Sequence, residues 1–253
     1  MIPGPLVSVI IPVFNSERFI AQTLKSVQAQ TMPAWEALVL IDRGTRDSTA
    51  EIVSTIAAQD PRITLIEVPG GKSVTDARNY GFTLARGRYI ALLDADDLWL
   101  PDKLKLQATA LEQSSAVLSY TGFRRVTVDG KLTGREIQVP AKITYDDLLK
   151  DNRIACATAM IDRTKCGPLA METDIHEDYT LWLSLVKTGG PAIGIQKDLA
   201  RYRVVPGSRS SRRLLMANWR WRIYREHEKL SVAKSLYCYI WYALFAVGKR
   251  LRF

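Results

Sequence analysis

Three aspartates that lie close together are the first candidates for chemistry. Asp94, Asp96 and Asp97 follow the apolar run YIALL at residues 89–93 and precede Pro101, a residue favoured at the start of a helix. Carboxylates that crowd the end of a buried strand repel each other, so they indicate a positive partner. Closely spaced Asp oxygens suit a hard cation such as Mg²⁺ or Mn²⁺, whereas zinc prefers His and Cys. Solvated turns and helix caps also use Asp, so the cluster alone is weak support for a metal site.

The segments around this cluster alternate between strands and helices. Apolar, strand-like runs at 7–14, 35–41, 63–68 and 89–94 are separated by segments with helical periodicity, the first of which is expected to begin near Asn15 or Ser16. This alternation predicts an α/β fold with a mostly parallel sheet that is flanked by helices. Ligands of such sheets bind beyond the carboxyl ends of the strands. The residues at those ends are Phe14, Asn15, Asp42, Arg43, Gly44, Asp94, Ala95, Asp96 and Asp97.

Shorter elements follow from about residue 115. Strand-like runs flank the turn Asp129-Gly130, Thr144 is placed to cap a short helix, and residues 176–190 have helical periodicity. No internal repeat or low-complexity linker divides the chain. We expect residues 1–207 to form one domain.

Composition indicates a globular protein with a sizeable core. Of the 253 residues, 47% are hydrophobic and 24% are charged, unlike a disordered chain. The three cysteines form no CxxC pair and have no His partners at metal-ligand spacing, which favours a reducing, cytoplasmic location. The apolar N-terminal segment lacks a basic region before it, so we expect a strand rather than a secretory signal. No run of about 18 to 20 apolar residues predicts a membrane span.

The C-terminal segment, residues 208–253, differs in charge and in aromatic content. Residues 201–253 carry 13 Lys and Arg against 2 Glu, a net charge of +11 within a total of +9, which leaves −2 for the rest. The stretch 236–247 is apolar and aromatic and lies between cations. This combination favours a helix at an anionic membrane surface; packing on the protein itself or on a dimer partner is the alternative. Arg interleaved with aromatic residues also suits single-stranded nucleic acid, but the acidic site argues against that partner.

Five motifs resemble those of family 2 glycosyltransferases, which have the GT-A fold. They are VSVIIPVFNSERFIAQTLKSVQAQT at 7–31, IDRGTRDST at 41–49, DARNYGFTLARGRYIALLDADD at 76–97, HEDYTLWLSL at 176–185 and YRVVPGSRS at 202–210. A DxD motif alone would be unspecific, whereas five motifs in the expected order are strong support. The resemblance implies a Rossmann-like GT-A domain that transfers a sugar from a nucleoside-diphosphate sugar, by default a UDP-sugar.

Carried over position by position, the resemblance implies a metal site, a general base and a donor site. Asp96 with Asp94 would hold Mn²⁺ or Mg²⁺, which offsets the charge of the departing diphosphate. Asp178 would take the proton of the acceptor hydroxyl as that oxygen attacks the anomeric carbon and inverts its configuration. The donor nucleotide would be bound by Pro12, Phe14, Asp42, Arg43, Arg78, Asp94 and Ala95.

Two positions depart from the family pattern. The second strand usually ends in two Asp residues, of which the second contacts uracil, but Arg43 stands there and a guanidinium has no acceptor atom. Val205 stands where relatives often carry a His that assists the metal or the diphosphate. Nearby arginines would then supply the positive charge: Arg201, Arg203, Arg209, Arg212 or Arg213. His176 and His227 have no cluster partners, and we expect them to be ordinary surface residues or supports of the site.

The acceptor and the location follow from the same resemblance. Similar chains with such tails look like bacterial polysaccharide and O-antigen assembly transferases, which implies a saccharide acceptor on polyprenyl diphosphate and a peripheral position at the cytoplasmic face of the membrane. A non-catalytic nucleotide-sugar-binding protein would explain Arg43 and Val205 but not the retained Asp96 and Asp178. A haloacid-dehalogenase-type phosphatase would need its DxD motif after the first strand, where this chain has Pro-Val-Phe-Asn.

Overall fold

Strands and α-helices alternate over the residues that the structure, a computed structural model, describes: 4–70, 73–172, 176–205 and 213–251. The strands are β1 (Val7–Val13), β2 (Trp35–Ile41), β3 (Ile63–Glu67), β4 (Tyr89–Leu92), β5 (Leu98–Trp99), β6 (Leu118–Val126), β7 (Leu132–Ile137), β8 (Lys142–Ile143), β9 (Met160–Asp162) and β10 (Ala192–Arg203). The α-helices are α1 (Ile20–Gln28), α2 (Thr49–Ala57), α3 (Val74–Leu84), α4 (Lys103–Glu112), α5 (Tyr145–Lys150), α6 (Glu177–Gly189), α7 (Arg213–Arg222) and α8 (Val232–Leu251).

The strands form one mixed sheet in the order β3-β2-β1-β4-β9-β6-β10-β5, with β7 beside β6 and β8 beside β10. Strands β1 to β4 pair in parallel, as the alternation with helices predicts. The other half combines the parallel pair β6–β10 with antiparallel neighbours, among them β9 between β4 and β6. The predicted α/β architecture is confirmed, and its parallel half carries the strand ends that the site needs.

Helices cover both faces of the sheet, which explains why β1 and β2 are buried at every residue. Ile10 and Leu40 face one core with α3, α5 and α6. Val9 and Val39 face the other core with α1 and α4. Adjacent strand residues therefore belong to opposite cores, in agreement with the period of two along a strand.

Pro12 lies inside β1, where a missing backbone donor would normally cost a ladder hydrogen bond. Its partner across β2 is Leu40, and the pairing of β1 with β4 ends at Ile10 opposite Leu92. Leu93 donates to the Ile10 carbonyl at 3.1 Å, so alternate residues of β1 face β4 and Pro12 faces the space beyond its end. The proline thus marks the point where β1 loses a neighbour.

Two local predictions have different outcomes. Thr144 caps α5 as predicted, in a reciprocal capping box with Asp147. The start of α1 near Asn15 or Ser16 is wrong, because the helix begins at Ile20. Asn15 has a positive φ of 44°, and the Ser16 backbone N–H donates to Thr49 of α2 at 2.7 Å, so the chain turns before the helix begins.

The described part of the C-terminal segment packs on the body of the protein. Ile223, Tyr224 and Cys238 belong to the same core as α5 and α6, and the Tyr224 hydroxyl donates to the Leu149 carbonyl. The opposite side of α8 leaves large apolar residues exposed: Leu236, Tyr237, Ile240, Trp241 and Leu244. Among the described helices, none is both long and apolar enough to cross a bilayer.

Candidate active site

The carboxyl ends of β1 to β4 meet at one edge of the sheet. Val13 of β1 is opposite Ile41 of β2, which is in turn opposite Glu67 of β3. The residues at the ends of these strands or just beyond them therefore share this edge, which we call the donor edge: Phe14, Asp42, Arg43, Glu67, Asp94, Ala95 and Asp96.

Phe14 and Asp42 form a compact corner of the donor edge. Asp42 Oδ1 accepts a hydrogen bond from the Gly44 N–H at 2.6 Å, and the Phe14 side chain is exposed. A Cβ atom at Gly44 would lie 2.9 Å from Asp42 Oδ1 and 3.2 Å from the Phe14 ring. Only glycine fits this turn without displacing the two side chains, so the backbone and the aromatic ring can approach a flat ligand together.

Arg43 is directed toward a neighbouring strand. Its Nε donates to the carboxylate of Glu67 in an ion pair whose side chains are both mostly exposed. The sequence analysis did not single out Glu67, although the rule that points to the ends of β1, β2 and β4 applies equally to the end of β3. The carboxylate absent at position 43 is therefore present on the adjacent strand.

The turn after β4 is held by buried hydrogen bonds. The Asp97 N–H donates to the Asp94 carbonyl at 3.1 Å, and the Thr23 hydroxyl donates to the Ala95 carbonyl at 2.8 Å. Asp97 is buried, and its Oδ1 accepts the Arg203 N–H at 2.8 Å. Burial and the charges of Asp94 and Asp96 raise its pKa well above the usual range. Asp97 thus fixes the turn from inside, while Asp94 and Asp96 remain at its surface side.

Asp96 lies in an excess of negative charge. Burial and the nearby Asp94 carboxylate raise its pKa to about 6, against a smaller opposing effect of Arg203. A divalent cation fits this position, because it would offset the charge that the surrounding residues leave uncompensated. No group of three or more His, Cys, Asp or Glu side chains in the described ranges is arranged to hold a metal.

Two of the arginines considered for the diphosphate have protein partners. Arg203 is buried, and its guanidinium donates to the carbonyls of Asp96 at 2.8 Å and Val128 at 2.9 Å, and to Gln22 at 3.1 Å. Arg201 pairs with Asp198. Arg209 and Arg212 lie outside the described residues, and Arg213 begins α7. In this geometry Arg203 supports the turn after β4, and the diphosphate role of the arginines stays a prediction.

Arg78 connects the donor edge to α6. Its side chain is only 5% exposed; Nη2 lies 2.6 Å from Asp94 Oδ1, and Nη1 lies 3.8 Å from Glu177 Oε1. Its buried Nε has no hydrogen-bond partner among the described residues. Burial lowers the pKa of Arg78, but the acidic groups of Cys156, Asp94, Asp178 and Glu177 outweigh this effect and raise it. The guanidinium therefore stays charged and holds the two halves of the site together.

Asp178 lies in the first turn of α6, as predicted, and one of its oxygens is held firmly. Oδ1 accepts the Tyr179 N–H at 2.7 Å and lies 3.0 Å from His176 Nδ1. Burial raises the pKa of Asp178, but the hydrogen bond and charge of His176, the charge of Arg78 and the Tyr179 N–H together lower it below the usual value. The carboxylate is thus available as an anionic base.

The loop before α6 is tied to the donor side. The Asn79 side-chain amide donates to the Met171 carbonyl at 2.8 Å, and its oxygen accepts the Met171 N–H at 2.7 Å. Since Asn79 follows Arg78 in α3, this helix holds both Arg78 and the loop segment at Met171. The sequence analysis named Arg78 but missed this contact, because the two residues are 92 positions apart.

Comparisons with known proteins identify the family of this chain. The profile described as Glycosyl transferase family 2 matches residues 8–167. TuaG of Bacillus subtilis strain 168, a glycosyltransferase named for teichuronic acid biosynthesis, is 39% identical over 248 residues, which cover 98% of each chain. WfgD of Escherichia coli, named as a UDP-Glc:alpha-D-GlcNAc-diphosphoundecaprenol beta-1,3-glucosyltransferase, is 31% identical over 233 residues, which cover 92% of this chain and 90% of WfgD.

A solved structure supports the fold. The mannosyltransferase PcManGT from Pyrobaculum calidifontis, in complex with GDP-Man and Mn²⁺, superimposes with a TM-score of 0.71 at 18% identity and covers 99% of this chain and 81% of its own. At that identity the likeness concerns the GT-A fold alone, while the profile and the two relatives concern the family. The chain therefore belongs to glycosyl transferase family 2 and is a glycosyltransferase with the GT-A fold.

Proposed function

We propose that this enzyme transfers a hexosyl group from a UDP-sugar to a hydroxyl of a saccharide carried on polyprenyl diphosphate, with inversion, in cell-surface polysaccharide synthesis. The observation that supports the proposal is the buried Arg78, whose guanidinium lies 2.6 Å from Asp94 of the DxD motif and 3.8 Å from Glu177, the residue before Asp178 in α6. A donor held at the turn and an acceptor beside the base would then face each other. The printed name of WfgD supports a UDP-sugar and a lipid-linked acceptor.

In this mechanism Asp178 acts on the acceptor. Its free carboxylate oxygen takes the hydroxyl proton while the acceptor oxygen forms a bond to the anomeric carbon. The bond from that carbon to the diphosphate breaks on the opposite face, and the electron pair leaves with the nucleoside diphosphate. One displacement inverts the configuration. Oδ1 stays hydrogen-bonded to His176 and Tyr179 throughout, so Oδ2 faces the acceptor.

The donor edge would bind the nucleotide. Phe14 and Asp42 would contact the nucleoside and Ala95 the ribose region, with the backbone of Pro12 beneath them. The pair formed by Arg43 and Glu67 offers a hydrogen-bond donor and an acceptor at the place where relatives carry the second Asp. These two side chains together would then recognise the nucleobase of the donor. This arrangement keeps a carboxylate at the uracil edge despite the substitution at position 43.

Asp96 and Asp94 would hold Mn²⁺ or Mg²⁺ together with diphosphate oxygens. When bound, the cation neutralises charge that develops on the departing diphosphate. Asp94 is already paired with Arg78, whereas Asp96 forms no ion pair with a described residue, and its burial and the nearby Asp94 carboxylate raise its pKa to about 6. We therefore assign the stronger contact to Asp96.

The exposed side of α8 would attach the enzyme to the cytoplasmic face of the membrane. Cations surround its aromatic residues: Lys150 Nζ lies 5.7 Å from the Tyr237 ring, and the Arg153 guanidinium lies 5.3 Å from the Phe245 ring. Aromatic rings with cations beside them suit the headgroup region of anionic lipids. An enzyme placed there would meet an acceptor that is itself anchored in the lipid.

The first experiment is calorimetry with UDP, GDP, dTDP and CDP, each with and without Mn²⁺, on the wild type and on Asp96→Ala. We expect UDP to bind only with metal and the variant to lose this binding. The purified enzyme is then given UDP-glucose and a diphosphoundecaprenol-linked GlcNAc. Transfer supports the proposal. Metal-independent binding of every nucleotide, or no binding at all, would refute the assigned donor site.

A further inference from the structure

The two residues that donate hydrogen bonds to Asp178 contact consecutive residues of α7. His176 and Tyr179 contact Asp178 Oδ1 at 3.0 Å and 2.7 Å. The Trp219 ring meets the His176 ring edge-on, with centroids 5.6 Å apart and planes at 89°. The Arg220 guanidinium lies 3.9 Å from the centroid of the Tyr179 ring. The C-terminal segment thus reaches the residues on either side of the base.

We propose that α7 completes the catalytic site: His176 is a positioning residue that holds the base Asp178, and Trp219 is the support that holds His176. This inference rests on the proposed function, because it takes Asp178 as the base of a glycosyl transfer. It adds a role for a histidine that the sequence analysis left without one, and it assigns part of the active site to the segment that follows residue 207.

Two hydrogen bonds to Oδ1 fix the orientation of the Asp178 carboxylate. A deprotonated Asp only accepts hydrogen bonds, so His176 must present Nδ1–H to Oδ1. With Oδ1 engaged twice, the carboxylate cannot rotate without losing one donor, and Oδ2 keeps one direction toward the acceptor. Proton transfer depends on that direction, and misplacement by about 1 Å costs up to about 100-fold in rate. His176 therefore acts through Asp178 rather than on the substrate.

The contact with the Trp219 ring fixes the orientation of the His176 ring. An imidazole on a helix N-cap residue can rotate about its side-chain bonds, and His176 is the N-cap of α6. The edge-on packing of Trp219 restricts the ring to an orientation in which Nδ1 faces the carboxylate. Arg220, the next residue of α7, packs on the Tyr179 ring, and its guanidinium also lies 4.7 Å from the Tyr242 ring of α8. The support is thus anchored in both C-terminal helices.

The charges around Asp178 make its pKa, and hence the pH dependence of kcat, sensitive to the loss of His176. The groups that face it are His176 and Glu177 from its own helix end, Arg78 from α3, and, through Arg78, Asp94 from the donor edge and Cys156. His176 and Arg78 lower the pKa of Asp178 against its burial. Without His176 only Arg78 and the Tyr179 N–H still lower the pKa of Asp178, so this pKa rises and activity is lost at a higher pH on the acid side.

The test measures kcat as a function of pH for full-length variants in the UDP-glucose transfer assay. His176→Leu is expected to lower kcat at least ~10-fold and to move the acid limb to higher pH. His176→Asn keeps an N–H near the place of Nδ1, so it restores most of the rate. Trp219→Ala is expected to show the same loss of kcat and the same shift of the acid limb as His176→Leu. Trp219→Phe keeps a ring edge against His176, so we expect the wild-type dependence of kcat on pH.

Two controls separate positioning from folding. Trp221→Ala removes the neighbouring ring of α7 that packs on Tyr239 of α8, centroids 6.0 Å apart, away from the base, and we expect it to retain kcat. Calorimetric binding of UDP with Mn²⁺ should remain unchanged in all variants, because none of these residues lies at the donor edge. A loss of rate that Trp221→Ala shares equally would assign the effect to helix packing and would overturn the inference.

Failure of the inference differs from failure of the proposed function. If the wild type transfers sugar, Asp178→Asn does not, and His176→Leu and Trp219→Ala keep the wild-type rate and pH profile, α7 has no part in catalysis. If the wild type fails to transfer, or Asp178→Asn retains full activity, the proposed function falls and the inference falls with it. A lower rate in His176→Leu and Trp219→Ala, together with near wild-type rates in His176→Asn and Trp219→Phe, supports both the inference and the proposed function.

Discussion

The two sides of the candidate site are built in different ways. The donor edge consists of residues that directly follow four parallel strands within the first hundred positions, so each side chain arrives there with its strand. The base side is assembled from α6, the loop before it and α7, which contributes Trp219 from 43 positions beyond His176. A sheet edge therefore collects functional residues through backbone pairing, whereas the environment of the base depends on side-chain packing between helices.

Replacement of Asp178, the proposed base, should separate the two sides most sharply. Asp178→Asn keeps the shape of the side chain but cannot take the acceptor proton, so we expect kcat to fall ~10³-fold. The measurement is transfer from UDP-glucose under saturating donor. UDP binding with Mn²⁺ should stay within about twofold of the wild type, because Asp178 is separated from the donor edge by Arg78. An equal loss of UDP binding and of transfer rate would contradict the separation of donor binding from proton transfer.

The bridge between the two sides is the next target. Arg78→Met leaves Asp94 and the buried Glu177 without their shared cation, so we expect ~100-fold lower activity and a decrease of about 3 kcal/mol in the free energy of unfolding. Urea unfolding and the transfer assay report the two effects. Arg222→Met breaks an exposed pair with Glu226 on the C-terminal segment and should cost less than about 1 kcal/mol. Similar losses in both variants would mean that Arg78 is no more than a surface ion pair.

A third comparison divides the two sides of α8. Ile240→Glu with Leu244→Glu places charges on the exposed side and leaves the packed side, which includes Cys238, unchanged. We expect binding to vesicles that contain anionic lipid to fall ~10-fold or more, because apolar burial at the interface is lost. Activity on a water-soluble acceptor should be retained. Leu132→Glu, which charges an exposed leucine of β7, is the matched control and should bind as the wild type does.

The parallel half was predictable from the sequence because its signals are local. The span of β2 agrees with the prediction residue for residue: apart from Glu36 its residues are apolar, as expected of a short strand that is covered on both faces. The same argument leads from the end of β4 to Asp94 and Asp96. The sequence also contained the signal for Glu67, because β3 ends at the same edge as its neighbours.

Contacts between distant segments were beyond the sequence. Nothing in the spacing indicates that Arg203 inserts its guanidinium beneath the turn after β4, 107 positions earlier, or that Arg43 turns to Glu67. The partnership of His176 with Trp219 was equally hidden, since both residues look ordinary in their own segments. Such contacts follow from the relative placement of packed elements, which periodicity does not encode.

The smallest expected effect tests the parallel half away from the site. Asp60 lies at the turn before β3, and hydrogen bonds from Arg62 lower its pKa to about 2, against its burial and with help from Gln28. A carboxyl whose folded pKa lies below the unfolded value of 3.8 stabilises the fold above that pH, and this contribution disappears as the pH falls toward 2. Because Arg62 is partly exposed, we expect about 1 kcal/mol rather than the full value of the shift.

Asp60→Asn should therefore lower the free energy of unfolding in urea at pH 6, and the difference from the wild type should shrink as the pH is lowered from 4 toward about 2. The transfer rate should not change, since the amino end of β3, where Asp60 lies, is opposite the donor edge. A difference that stayed constant with pH would show that the side chain acts through packing rather than charge. A change in rate would mean that the turn before β3 communicates with the carboxyl ends of the strands, and the donor edge would then depend on more than backbone pairing.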